Sequence, residues 1–291
     1  MKLLRIGSIL MFILSAATYL GYQRYEERVV DVMGPDIRYS SDSISVSVDT
    51  SVEELLKDVT AYDLRDGDVS SSIMIENFTD FIQTGKRKIT YIAFDSSNNI
   101  SKAEREVVYT DYESPKFRLS KPLKFLVGES ERILDNMTVE DCIDHDLTDK
   151  IKYNIPSYDF GQVAGRYPIE FQVTNSAGDT AFLQADVEFY YQEDKTFFTP
   201  EIILSKYIYY CKQGDKFDER SFLNKVIIGE EEYVFEKKLI NNWNEKLIAR
   251  EAISVSSNVN TKIPGYYHVN YSYRAENTYI GTVELIVVVE E

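Results

Sequence analysis

The residues with the clearest chemical potential are aspartates, which occur in two groups of three within six residues of chain. In chain order they are Asp63, Asp66, Asp68, Asp141, Asp144 and Asp146. Carboxylate oxygens are preferred ligands of Ca²⁺, which takes about 6–8 oxygens. A structural calcium ion is therefore one hypothesis for these segments. The alternative is that each side chain hydrogen-bonds the amides of its own turn. The small number of ligands and the absence of EF-hand spacing favour this alternative.

Other patterns that support catalysis are missing from the sequence. Its two histidines are His145 and His268, and it contains no His-Glu-x-x-His, Cys-x-x-Cys, Gly-x-Ser-x-Gly or glycine-rich phosphate-loop motif. Cys142 and Cys211 lie in different segments of the pattern described below, so two unbonded thiols are favoured over a disulfide. The sequence therefore predicts a protein that is not an enzyme and holds no cofactor beyond the calcium hypothesis.

The elements that would position the aspartates repeat along the chain. Pro35, Pro115 and Pro200 each precede a short alternating segment, at intervals of 80 and 85 residues. The aspartate groups follow the first two of these prolines and share the pattern Asp-x-x-Asp-x-Asp-aliphatic-Ser/Thr. Proline suits the first residue of a strand, and aspartate and glycine suit the turn between two strands. The pattern predicts internal repeats built from short strands.

A pair of long strands is expected to close each repeat. Residues 85–98 align with residues 165–178, where Tyr167, Ile169, Phe171 and Val173 alternate with polar residues. This period of two is typical of a strand that is buried on one face. The third repeat has residues 265–273 in this place and ends in a continuous apolar stretch at residues 283–289.

The third repeat diverges from the other two. Its interval from proline to glycine is 65 residues instead of 50, with the extra length around residues 217–251, where Trp243 lies. Its aspartate turn is not recognisable. We expect a divergent sandwich with an inserted hairpin or helix, and a different fold is the alternative. Five tyrosines there could form a sugar- or peptide-binding face, although strand packing explains them better. They are Tyr266, Tyr267, Tyr271, Tyr273 and Tyr279.

These motifs together resemble a known family. Val127-Gly128-Glu129, the aspartate turn, and Gly-x-Tyr-x-Ile-x-Phe-x-Val with Ser-Ala-Gly at residues 165–178 resemble the bacterial surface immunoglobulin-like repeats, which are akin to hyalin-repeat modules. The resemblance covers nearly all of residues 31–191 and, more weakly, residues 197–291. It implies tandem β-sandwich modules that mostly act in adhesion or as spacers, and it says little about the ligand.

The N-terminus carries an apolar segment. Residues 6–22 contain no charged residue, follow Lys2 and Arg5, and precede acidic residues that begin at Glu26. A run of this length is at the short end of what spans a bilayer. Positive charge before it predicts that the N-terminus stays in the cytoplasm. An uncleaved signal-anchor is favoured over a signal peptide cleaved near residues 15–17, because the apolar run continues past that site.

Composition limits the partners. The chain has 291 residues and a formal net charge of −16, so a nucleic-acid partner, which needs clustered Lys and Arg, is not expected. The expected partners are the membrane, through the N-terminal helix, and a cell-envelope protein or glycan.

The sequence thus predicts an all-β fold of tandem immunoglobulin-like sandwiches after a transmembrane helix. The expected parts are a cytoplasmic stub (1–5), the signal-anchor (6–22) and immunoglobulin-like domains at 31–111, 112–191 and 197–291. The preferred function is a membrane-anchored cell-surface protein that acts as an adhesion module or spacer rod. The alternatives are an accessory subunit of an envelope secretion or polysaccharide-export assembly and, least favoured, an extracellular enzyme accessory.

Overall fold

The structure is a computed structural model that describes residues 2–29, 31–155, 157–192, 199–235, 246–276 and 278–291. It describes the backbone alone for residues 2–5 and 26–29. The chain divides into two compact units, Met1–Tyr112 and Glu113–Glu291.

The first unit begins with helix α1 (Lys2–Val29). Within it, Ile6–Tyr25 is long and apolar enough to cross a membrane, and none of that window is buried. Strands and one short helix follow: β1 (Asp36–Tyr39), β2 (Ser43–Val46), α2 (Val52–Leu56), β3 (Val59–Asp63), β4 (Gly67–Asp68), β5 (Met74–Phe78), β6 (Lys86–Phe94) and β7 (Ile100–Tyr109).

The strands of the first unit form two sheets that share one core. The sheets have the orders β1-β3-β4 and β2-β7-β6-β5. Val59 and Ala61 of β3 face Ile89 and Tyr91 of β6 in a single cluster of buried side chains. The period-two pattern of these strands produces this arrangement, because alternate side chains leave opposite faces of a sheet.

The second unit contains the remaining strands. Their bounds are β8 (Lys116–Leu119), β9 (Lys124–Leu126), β10 (Met137–Asp141), β11 (His145–Asp146), β12 (Lys152–Tyr153), β13 (Gly165–Thr174), β14 (Thr180–Tyr190), β15 (Glu201–Leu204), β16 (Ile208–Lys212), β17 (Leu223–Ile228), β18 (Glu231–Val234), β19 (Lys246–Leu247), β20 (Ser254–Ser257), β21 (Gly265–Tyr273) and β22 (Gly281–Glu290).

Residues 113–192 show the same strand order as the first unit. Their sheets are β11-β10-β8 and β12-β13-β14-β9. In both cases the second strand crosses to the other sheet and runs parallel to the last strand, as β2 does with β7 and β9 with β14. Phe117, Val139, Phe171 and Val187 are fully buried between the sheets.

Residues 199–291 form two further sheets, and the first of them has four strands instead of three. Their orders are β15-β17-β18-β19 and β16-β22-β21-β20, and β16 again runs parallel to the last strand. The hairpin of β17 and β18, which turns at Gly229, occupies the place of β3–β4 and β10–β11, and β19 is the additional strand of this sheet. The insertion expected around residues 217–251 stays a prediction. Residues 236–245, including Trp243, lie outside the described residues.

The second and third cores of the molecule are joined within the second unit. Ile208, Ile286 and Val288, from β16 and β22, belong to the buried cluster of residues 113–192. Their chain neighbours Leu285 and Val287 belong to the cluster of residues 199–291. Strand β22 is therefore buried on both faces, which explains why its sequence is continuously apolar rather than alternating.

Polar contacts accompany this junction. The hydroxyl of Tyr210 accepts a hydrogen bond from the backbone amide of Phe117 at 2.9 Å, and the hydroxyl of Tyr266 donates to the carbonyl oxygen of Phe182 at 2.6 Å. The predicted fold class is confirmed: apart from α1 the chain is built of β-sandwiches of immunoglobulin-like type.

Candidate functional site

The predicted aspartates lie at the ends of two equivalent hairpins, β3–β4 and β10–β11. The carboxylate of Asp63 accepts hydrogen bonds from the amides of Arg65 and Asp66 at 2.7 and 2.9 Å. Asp141 accepts from the amides of Ile143 and Asp144, both at 2.8 Å. Each side chain closes its own tight turn, which is the behaviour expected of aspartate in this position.

The middle aspartate of each group connects its turn to the hairpin turn of the long strands. Asp66 accepts from the amide of Ser96 at 2.7 Å and from its hydroxyl at 2.9 Å. Asp144 makes the same pair of contacts with Ser176, at 2.6 and 2.7 Å. We call these contacts the serine clasps. Each one ties the two sheets of a sandwich together at one end, because the two turns belong to different sheets.

The last aspartate of each group begins a short 3₁₀ turn. Asp68 accepts from the amide of Ser70 at 2.9 Å, and Asp146 from the amide of Thr148 at 2.9 Å. The side-chain hydroxyls of Ser70 and Thr148 contribute most to lowering the pKa of these carboxyls, and the amides add to the effect. All six aspartates therefore accept hydrogen bonds from neighbouring protein groups.

A different set of carboxylates meets at the end of the first sandwich. One carboxylate oxygen from each of Asp31, Asp63 and Asp95 lies within 4.8 Å of the others, and we call this set the acidic cluster. Asp63 and Asp95 are buried, whereas Asp31 is partly exposed and lies 3.7 Å from Nε of Arg65. Among the described residues it is the one group of three or more such side chains with ligand atoms this close together.

Backbone amides donate to two members of the acidic cluster. The amide of Asp66, and next that of Arg65, lower the pKa of Asp63. Asp95 accepts from the amides of Ser97 and Asn99, both at 2.8 Å. The donors to Asp63 favour its ionised form, whose charge a cation would balance. Ca²⁺ suits such a set of oxygens, with water completing its coordination.

The second unit has an amide in the equivalent place. Asn175 stands where Asp95 stands in the first repeat, and its side-chain amide donates to the carboxylate of Asp141 at 3.1 Å. Its own oxygen accepts from the amides of Ala177 and Asp179. At these equivalent positions the second sandwich therefore has a hydrogen bond between an amide and a carboxylate, whereas the first has two neighbouring carboxylates.

The sequence identified Asp63 as a candidate ligand, but not Asp31 and Asp95, the other members of the acidic cluster. The structure does not bring Asp63, Asp66 and Asp68 to one point, because each carboxylate serves a separate turn. The alignment of residues 85–98 with 165–178 already placed Asp95 opposite Asn175. That exchange of an acid for an amide was the available signal.

The remaining candidates are the two cysteines, His145 and the tyrosines of the third repeat. Cys142 Sγ donates to the carbonyl oxygen of Glu113 at 3.2 Å, Cys211 is buried in the third core, and no disulfide joins them. His145 is exposed and occupies a positive φ of 63° in its turn. Tyr271 is fully buried and donates to the carbonyl oxygen of Glu219, which agrees with strand packing rather than with a binding face.

His268 lies at the junction of the second and third cores. Its Nδ1 is 3.1 Å from a carboxylate oxygen of Glu284, without the alignment of a good hydrogen bond. The contact with Glu284, and the charge of Asp186 on β14, raise the pKa of His268 against the opposing effect of burial. Glu170 and Asp186 line the same groove, whose volume is about 360 Å³.

No family model matches the chain. An uncharacterized 81.3 kDa protein of Acholeplasma phage L2 is 23% identical over 264 residues, covering 88% of this chain and 32% of that protein. The chain therefore spans about a third of the length of this relative.

Similar solved structures are distant. One contains CBM51-2 in complex with GlcNAc and INT domains from Clostridium perfringens ZmpB, at 18% identity and a TM-score of 0.22, covering 53% of this chain and 26% of that one. Another is protocadherin gamma B2 extracellular cadherin domains 1–5, at 11% identity and a TM-score of 0.18, covering 90% and 61%. Scores this low do not establish a shared overall arrangement. Strand pairing within the chain itself remains the basis for the sandwich architecture.

Proposed function

We propose that this chain is a non-catalytic protein that α1 anchors in a membrane, with its sandwich domains outside the cytoplasm as an adhesion or binding module or as a spacer. The observation that supports this most directly is the exposure of the apolar helix segment Ile6–Tyr25, whose mean hydropathy is 1.3 and of which no part is buried.

The physical reasoning starts from the side chains of α1. Met11, Phe12 and Leu14 are largely exposed. A helix that is apolar on all sides and packs on no core requires a non-aqueous surrounding. Its 20-residue span corresponds to about 30 Å at 1.5 Å per residue, which matches the hydrocarbon thickness of a bilayer.

The choice of an anchor over a cleaved signal peptide has a local basis. The helix passes through Ser15, Ala16 and Ala17 without interruption, and the hydroxyl of Thr18 donates to the carbonyl oxygen of Ser15 at 2.9 Å. Lys2 and Arg5 precede the span, so the positive-inside rule places the sandwiches on the outer side.

We also propose that the chain belongs to the bacterial surface immunoglobulin-like repeat family. Its support is the aspartate turn with its serine clasp, present in the first and second sandwiches with the same partners. In that family the modules mostly carry adhesive or spacer roles, so an envelope glycan or envelope protein is the proposed partner. The third sandwich, which diverges most, is the proposed recognition element.

Membrane fractionation of the full chain in a bacterial host tests the anchor. We expect the protein in the membrane fraction, resistant to alkaline carbonate, with an intact mass that includes α1 and with its sandwiches accessible to external protease. The double variant Phe12→Arg, Ile13→Arg should leave the membrane, because each arginine at the centre of a span costs about 2.5–3.5 kcal/mol.

The control is Ile82→Arg, which places an arginine on an exposed isoleucine of the first sandwich and should stay in the membrane. A mature protein that starts near residue 18 and is soluble would overturn the anchor. Retention of the detergent-solubilised chain on envelope glycans or by one envelope protein would support the binding role, and retention by neither would restrict the function to a spacer.

A further inference from the structure

The first sandwich has a defined end at which the chain enters it from α1. The side-chain amide of Asn99 donates to the carbonyl oxygen of Asp31 at 3.1 Å, and Arg65 lies 3.7 Å from the Asp31 carboxylate. A Cβ added to Gly34 would lie 3.1 Å from the backbone carbonyl of Ile100. Residues 31–34 are thus held between the β3–β4 turn and the β6–β7 turn.

This end of the sandwich exposes large apolar side chains. Val32 is 77% exposed, Met33 61%, Leu64 82% and Ile100 62%, and we call these four residues the apolar rim. Turn residues are normally polar, and several large apolar side chains at one end of a domain indicate a contact surface.

The distance between the rim and the membrane is limited by the chain. The candidate span ends at Tyr25, and α1 continues as helix to Val29, about 6 Å further along its axis. Two more residues lead to Asp31, which adds at most about 7 Å. The headgroup layer on each side of a bilayer is roughly 5–8 Å thick. The turns that hold Asp31 therefore lie within about 13 Å of the end of the span, which is close to this layer.

Aromatic residues mark the same boundary on the helix. Tyr22 and Tyr25 are exposed near the end of the span. Tyrosine is enriched at membrane–water interfaces, where its ring is in contact with lipid and its hydroxyl with water. Their position agrees with a bilayer surface directly before the sandwich.

We propose that the apolar rim inserts into the headgroup region of the bilayer and holds the first sandwich against the membrane surface. This proposal rests on the proposed anchoring by α1, which keeps the rim at high local concentration next to lipid. The acidic cluster adjoins the rim and repels anionic headgroups, so zwitterionic lipid is the expected partner.

Site-directed fluorescence of the full chain in phosphatidylcholine nanodiscs tests the proposal. The background is Cys142→Ser, because Cys211 is buried and shielded from the label. A nitrobenzoxadiazole probe is attached to Leu64→Cys, whose side chain is almost fully exposed, so that folding is unaffected. We expect emission shifted to shorter wavelength and quenching by lipids that carry a nitroxide near the headgroup.

The matched control is the same probe on Ile82→Cys. Ile82 is 59% exposed in the turn that precedes β6, and the nine residues of β6 place it roughly 30 Å from the rim. This probe should show aqueous emission and no quenching.

A third probe on Tyr22→Cys separates the two proposals. Quenching at Tyr22 together with aqueous emission at Leu64 would overturn the inserted rim and leave the anchor intact. Aqueous emission at both positions would overturn the anchor and the rim together.

Discussion

At the scale of single residues, aspartate serves two purposes in this chain. Asp66 and Asp144 connect turns through the serine clasps, whereas Asp63 and Asp95 place buried charges next to each other. Hydrogen bonds from turn amides stabilise each carboxylate but do not cancel the repulsion between them. A cation at the acidic cluster would do so. The calcium hypothesis made from the sequence concerned the two aspartate groups and stays a prediction, and binding at the acidic cluster, which shares only Asp63 with them, is a separate prediction.

Replacing Asp95 by Asn tests this prediction. Asp95→Asn reproduces the arrangement of Asn175 with Asp141, so we expect the first sandwich to be more stable than wild type in EDTA. With Ca²⁺ at 100 times its dissociation constant, the unfolding free energy of the wild type should increase by about 2.7 kcal/mol. Its melting temperature should rise accordingly. The variant should not respond. Thermal unfolding followed by circular dichroism measures both effects.

Asn175→Asp provides the reciprocal control. It creates a second pair of buried carboxylates, Asp141 with residue 175, and should destabilise the second unit in EDTA. A wild-type melting temperature that is the same in Ca²⁺ and EDTA would contradict cation binding at the acidic cluster.

A buried arginine makes the first sandwich sensitive to acid. Arg105 is 3% exposed, and its Nη1 and Nη2 donate to the two oxygens of Asp58 at 2.7 and 3.0 Å. The hydrogen bonds from Arg105, and next that from Ser40, lower the pKa of Asp58 from 3.8 to about 2.

Because the folded pKa is lower than the unfolded one, ionised Asp58 contributes stability above pH 4. This contribution should be lost as the pH falls from about 4 to about 2. Acid titration by near-ultraviolet circular dichroism should show this loss in wild type and a smaller one in Asp58→Asn. That variant should also be less stable at neutral pH, since it leaves the Arg105 charge buried without its partner. Equal slopes below pH 4 would contradict the assignment.

At the scale of elements, β21 and β22 form the contact between the second and third cores. The odd-numbered residues of β22, such as Leu285 and Val287, face the third core, and Ile286 and Val288 face the second. The outward face of this sheet also carries His268, which pairs with Ile286. This face is covered by the second sandwich.

His268 should make the junction sensitive to pH. Glu284 on β22 and Asp186 on β14 face it, and Glu170 on β13 lines the same groove. The folded pKa is raised above the usual 6.5, so protonated His268 stabilises the junction fully below pH 6.5. This stabilisation is lost as the pH rises through the folded pKa.

Denaturant unfolding from pH 5.5 to 8.5 measures this dependence for the second unit. His268→Gln should flatten the decrease in stability, and the exposed His145→Gln should leave it unchanged. The same slope in wild type and His268→Gln would contradict the role assigned to His268.

At the scale of the whole molecule, the second and third sandwiches form one compact unit rather than two independent beads. Leu119 packs against both of their cores, and Nζ of Lys124 donates to the carbonyl oxygen of Thr282 at 3.0 Å. An apolar junction of this kind resists bending, because bending would expose Ile286 and Val288 to water. This part of a spacer would therefore be stiff.

Ile286→Ala tests the shared junction. Removing this buried side chain should cost about 2–5 kcal/mol and uncouple the two cores. Calorimetry of residues 113–291 should give one cooperative transition for wild type and two for the variant. Val287→Ala, on the opposite face of β22, should destabilise the third core but still give one cooperative transition. Two separate transitions in wild type would contradict the shared unit.

The sequence by itself determined the local structure. Alternating apolar residues such as Ile169, Phe171 and Val173 specify a strand with one buried face, and Asp63 and Asp141 specify their turns. These signals are readable because each depends on residues two or three positions apart. The length and composition of residues 6–25 likewise indicate a helix suited to lipid.

The tertiary structure alone decided which distant residues meet. Asp31, Asp63 and Asp95 are separated by more than 30 residues each, and only the packing of two sheets and the entering chain brings their carboxylates together. The second burial face of β22 likewise depends on a neighbouring sandwich. Such contacts arise from packing between segments that are far apart in the chain, and no local spacing encodes them.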